Sequence, residues 1–117
     1  MIPTDWLGYR RIDDGELLGY LVPTDDGIFT PVTVFGYPLD PAGARGHAER
    51  RLDEVGLDYL ADRWTLKVSE HAEAISVEIV EANPETLTVK NVDYGDSLNY
   101  GHRFTLKIPV TSGLRHA

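Results

Sequence analysis

No cysteine occurs in this chain, so disulfides, thiolate-held zinc, iron–sulfur clusters and cysteine nucleophiles are all excluded. An unstapled chain of 117 residues fits a reducing interior. No apolar run approaches the ~20 residues of a membrane span. The start, Met1-Ile2-Pro3-Thr4-Asp5-Trp6, lacks the basic opening and apolar stretch of a secretory signal. The expected location is therefore cytoplasmic, with no membrane contact. Cations are also scarce: 11 Lys and Arg stand against 19 Asp and Glu, leaving a net charge of −8. Affinity for polyphosphate comes from basic groups that neutralise phosphates, so nucleic acid is not expected as a partner.

Motifs that carry chemistry are missing as well. There is no G-x-S-x-G elbow, no Gly-rich phosphate loop and no Walker lysine. The four histidines, His47, His71, His102 and His116, are never three or four residues apart, so no local metal pair exists. Asp13-Asp14 and Asp25-Asp26 lack the alternating acids of a calcium loop, and each precedes a glycine, which reads as a turn. No metal, cofactor or catalytic residue is expected.

What is present is an ordinary globular composition, 42% hydrophobic and 26% charged, enough for a core in one domain over residues 1–110. Residues 6–35 read as a three-stranded meander closed by Asp13-Asp14-Gly15 and Asp25-Asp26-Gly27. Pro31 places its third strand at an edge or a bulge. Leu7-Gly8-Tyr9 and Leu18-Gly19-Tyr20 form a weak internal echo. Residues 41–55 predict a helix, with Asp40 as N-cap, Pro41 in the first position, Ala44, Ala48, Leu52 and Val55 on one stripe, and Gly56 as the stop. Residues 57–61 suit one more helical turn.

Period-two alternation then runs through Trp64–Thr65–Leu66, Ile75–Ser76–Val77, Leu87–Thr88–Val89 and Phe104–Thr105–Leu106. It predicts four strands over residues 64–110, apolar on one face. Residues 111–117 look like a flexible tail. The expected fold is α+β: a strongly twisted antiparallel sheet of about seven strands, able to close partly into a barrel, with one covering helix. Its core is expected to draw on Leu18, Tyr20, Val34, Leu52, Trp64, Leu66, Val77, Ile79, Val89, Phe104, Leu106 and Ile108.

Residues 93–103 are longer than a hairpin needs and dense in reactive groups. If a small ligand binds, Asp96, Tyr100 and His102 are the expected contacts, and Asp93 and Asp96 with His102 could do acid–base work if they converge. The leading functional reading is a non-enzymatic interaction module that binds a protein or itself, with a homodimer through the aromatic-rich meander. The alternative is a ligand-binding protein or enzyme with its site in residues 93–103.

Arginine outnumbers lysine eight to three, the codon signature of a GC-rich genome. In keeping with that, Asp14-Gly15, Leu18-Gly19-Tyr20-Leu21-Val22-Pro23, Pro31-Val32-Thr33-Val34-Phe35-Gly36-Tyr37-Pro38-Leu39 and Ala48-Glu49-Arg50-Arg51-Leu52 resemble small uncharacterised proteins of GC-rich bacteria. The resemblance covers about the first half and implies no activity and no site.

Overall fold

Two antiparallel sheets and one helix make up the structure, a computed structural model that describes residues 1–69, 73–95, 99–110 and 112–117. The first sheet holds β1 (Leu7–Arg10), β2 (Leu17–Asp25), β3 (Ile28–Val32) and the short β4 (Gly43–Ala44), in that order. The second holds β5 (Arg63–Leu66), β6 (Ile75–Ala82), β7 (Thr86–Asn91), β8 (Arg103–Lys107) and β9 (Leu114–His116), ordered β8-β7-β6-β5-β9. The fold is thus α+β and antiparallel as expected, but the single sheet of about seven strands is corrected to two open sheets of four and five. Neither closes into a barrel. No helix among the described residues is long and apolar enough to cross a membrane.

The Leu-Gly-Tyr echo has a structural cause. Its two copies lie side by side, with Gly8 opposite Tyr20 and Tyr9 opposite Gly19. The Tyr20 ring comes within 3.9 Å of where a Cβ on Gly8 would stand, so it covers the bare backbone there. Gly19 has no room for a side chain, because a Cβ there would stand 2.1 Å from the Val32 carbonyl oxygen across the ladder.

Pro31 does not mark an edge. Its carbonyl accepts the Leu39 N–H at 2.9 Å, and its missing N–H lies on that same side. The ladder to β2, where Pro31 faces Leu21, is left intact.

The helix α1 (Arg45–Val55) begins four residues later than the sequence suggests. Asp40 is not its cap; Ala44 holds that position without a side-chain bond. Gly43 and Gly46 are poor helix formers, and Gly43 and Ala44 instead pair with Phe29 and Ile28 of β3. Asp40 bonds His47 Nε2 at 3.1 Å through Oδ2. At the far end Gly56 caps as expected, its N–H donating to the Leu52 carbonyl. A 3-10 turn, Asp58–Ala61, follows.

Two apolar clusters result. Leu18, Leu21, Ala48 and Leu52 lie between the first sheet and α1. Phe35, Tyr59, Trp64, Leu66, Val77, Leu87, Val89, Ile108 and Leu114 line the inner face of the second sheet. The helix buries just two side chains, too narrow a stripe to cover both sheets. Of the expected core, Tyr20, Val34, Ile79, Phe104 and Leu106 are half-buried, and the rest are fully enclosed.

Tyr59 joins the halves. Its ring packs in the second cluster, edge-on to Phe35 with centroids 5.7 Å apart. Its hydroxyl donates to the Leu18 carbonyl of β2 at 3.0 Å and accepts the Val34 N–H at 3.0 Å.

Residues 114–116, expected within a flexible tail, form β9 instead. Leu114 faces Leu66, and His116 faces Trp64. The radius of gyration, 15.0 Å, exceeds the ~13.4 Å of a round domain of this length, so the two clusters lie along one axis of an elongated molecule.

Candidate functional site

The loop after β7 is held from its base. Asn91 is fully buried and its Oδ1 accepts the Asp93 N–H at 2.8 Å. Its backbone N–H donates to the His102 carbonyl, and its carbonyl accepts the Gly101 N–H. Asp93 also braces the loop. Its Oδ2 accepts the Ser76 N–H at 3.2 Å, and its Oδ1 accepts the Gly95 N–H at 2.9 Å.

Tyr100 and His102 each pack on a different aromatic neighbour. Tyr100 stacks on Tyr94, ring centroids 5.3 Å apart, and both rings are exposed. The hydrogen bond to Tyr94 and the neighbouring phenol's charge push the Tyr100 hydroxyl above its ordinary range. His102 is exposed and sits edge-on to Phe104 at 4.7 Å. No hydrogen bond joins Asp93 to His102 among the described residues. Asp96 and His71 lie outside the described residues.

The aspartate turns are turns. Asp14 Oδ1 accepts the Glu16 N–H at 3.0 Å and Arg11 Nε–H at 3.1 Å, and these bonds, the backbone one foremost, hold its carboxyl below the ordinary range. The meander's aromatics are turned inward. Trp6 packs on Tyr20 at 6.0 Å, Phe29 joins the first cluster, and the Tyr9 hydroxyl donates to Asp53 Oδ2 of the helix at 2.8 Å.

Two other features gather functional groups. The first is the outer face of the second sheet. Pairing aligns Arg63 with Glu78, Glu78 with Lys90 and Lys90 with Arg103 in one row. Arg115 and Lys107 stand on the same face, with Thr65, Thr86, Thr88 and Thr105 between them. Five of the six cations after residue 62 therefore share one face with two carboxylates, Glu78 and Glu81. Residues 1–62 carry twelve carboxylates against five cations, so an acidic half adjoins a basic sheet face. The charges of Glu78 and Arg63 both reach Tyr100, which places the stacked tyrosines beside that face.

The second is a cleft of about 460 Å³ on the inner side, where the connection after β3, the end of α1 and β9 meet. Trp64, Tyr59, Val55 and Leu39 form its apolar lining, and Arg51, Asp58, Asp62 and His116 its polar rim. His116 Nε2 lies 2.7 Å from Asp62 Oδ2, and the imidazole packs on the Trp64 indole at 4.7 Å. The Tyr37 hydroxyl accepts the His116 N–H at 3.4 Å. Sequence reasoning assigned His116 to the tail. Local spacing held no signal for it, since its partners Asp62 and Tyr37 are 54 and 79 residues away.

A smaller cavity of about 200 Å³ lies in the seam between the sheets, lined by Leu17, Tyr20, Val34, Leu57, Leu60 and Pro84 among others. None of the described residues between 93 and 103 lines either cavity. No family model, no curated protein and no solved structure matches the chain.

Proposed function

We propose that this chain is a non-enzymatic interaction module that binds an acidic segment of a protein partner through the outer face of its five-stranded sheet. The carrying observation is the charge segregation: Arg63, Lys90, Arg103, Lys107 and Arg115 share one face of a chain whose net charge is −8. Arginine and tyrosine are enriched at protein interfaces, and Tyr94 and Tyr100 adjoin this face with 84% and 48% of their surface exposed. Five strands span about 20 Å. A short acidic segment stays within that patch, and charges beyond about 8–10 Å are screened at physiological salt. A nucleic acid duplex runs past the patch onto the acidic half and is repelled there.

The test is fluorescence anisotropy of the full chain with a labelled, glutamate-rich peptide. Binding should weaken as salt rises. The double variant Arg103→Glu, Lys107→Glu should lose at least about tenfold in affinity. Absence of binding, or binding indifferent to that charge reversal, rejects the proposal. Equal binding to a random DNA duplex points to nucleic acid instead. A doubled mass by light scattering makes a second copy the occupant.

A further inference from the structure

The cleft beneath β9 lies on the face of the second sheet opposite the basic one, so what it does is independent of the acidic-partner reading. Its volume, about 460 Å³, is in the range of small-molecule sites, and its lining follows the usual plan of an apolar floor with a few polar groups at the mouth. The floor asks for nothing polar. The Trp64 indole N–H already donates to the Tyr59 carbonyl at 2.9 Å, and the Tyr59 hydroxyl is engaged by Leu18 and Val34. The aromatic surface open to the cleft belongs to Tyr37 and His116, which cover the fully buried Trp64. Tyr37 and His116 pack against Trp64, their ring centroids 4.9 and 4.7 Å from it.

The rim is different. Asp62 and His116 satisfy each other. Asp58 has no ion pair or hydrogen bond among the described residues. Arg51 is held loosely, 3.6 Å from Glu54, with both side chains about half exposed, so its guanidinium is free to take a carboxylate in two-pronged fashion. The mouth therefore offers one available cation and one available anion above an aromatic floor. A ligand of a single charge would leave one of them facing a like charge or nothing. A zwitterion answers both.

We propose that this cleft binds a free α-amino acid with an aromatic side chain. The ring lies against Tyr37 and His116, directly above the buried Trp64, the carboxylate meets Arg51, and the ammonium meets Asp58. The His116–Asp62 pair fixes one wall: with the proton on Nε2, the imidazole donates to Asp62 Oδ2 at 2.7 Å and the ring is held against Trp64.

Proton–nitrogen correlation spectra of the full chain, titrated with L-phenylalanine, test this. The chain has two tryptophans. The Trp64 indole N–H should shift and that of Trp6 should not. Phenethylamine and 3-phenylpropionate, each lacking one charge, should bind at least about tenfold more weakly. Arg51→Gln should weaken phenylalanine binding about tenfold and leave phenethylamine unaffected; Asp58→Asn should do the converse with phenylpropionate. Both residues are surface positions whose replacement leaves stability nearly unchanged. No shift at millimolar phenylalanine, a shift at Trp6 alone, or equal binding of all three compounds overturns the proposal.

Discussion

Tyr59 is the residue on which both halves depend. Its ring belongs to the core of the second sheet, while its hydroxyl gives a hydrogen bond to β2 of the first sheet and takes one from the connection that follows β3. Phenylalanine keeps the packing but strands the Leu18 carbonyl and the Val34 N–H. Tyr59→Phe should therefore cost about 1–3 kcal/mol in denaturant titration. Burial, the largest cause, pushes the Tyr59 hydroxyl from its ordinary 10 up to about 12. A raised folded value means that the neutral phenol's contribution is complete below pH 10 and is lost as pH rises through about 12. That contribution is of order 2–3 kcal/mol. Unfolding measured across this window should show a steeper alkaline decline in the natural chain than in Tyr59→Phe, and equal declines would contradict the role given to the hydroxyl.

Among the elements, β9 is the one whose character changed most between sequence and structure. Three residues, Leu114-Arg115-His116, are too few for a periodic signal, and they follow Pro109 and Gly113, which read as strand-ending punctuation. In the fold they have a long-range partner. The unpaired edge of β5 accepts them, and Leu114 closes over Leu66 with 5% of its surface exposed. Leu114→Ala should cost about 2–5 kcal/mol. A loss well under about 1 kcal/mol would return these residues to the status of a tail. The helix start differs for a related reason. Asp40-Pro41 is sound local cap chemistry, but β3 offered Gly43 and Ala44 a ladder that local propensity does not see.

At the scale of the whole molecule, two clusters set end to end replace the one shared core expected of a single sheet of about seven strands. Small-angle scattering should give a radius near the 15.0 Å of the single chain. A substantially larger radius together with twice the mass would identify a homodimer. The meander was the expected place for one, yet its large exposed apolar side chains reduce to Leu7 and Ile12, because Trp6, Tyr9 and Phe29 are engaged within the chain.

Local signals were enough for the class of the fold, the hairpin turns, the inward faces of β5 to β8 and the end of the helix. All of these follow from periodicity or turn chemistry acting over a few residues. The same locality made residues 93–103 look like a site, since length and polarity are visible in sequence. That Asp93 and Asn91 use their polar atoms to hold the loop's own backbone is not visible there. Long-range packing was needed to form two sheets rather than one, to bring His116 to Asp62, Tyr37 and Trp64, and to gather five cations spread along 53 residues onto one face. Each of these depends on which strands become neighbours. Strand order is set by the summed packing of distant faces, which no short stretch of sequence carries.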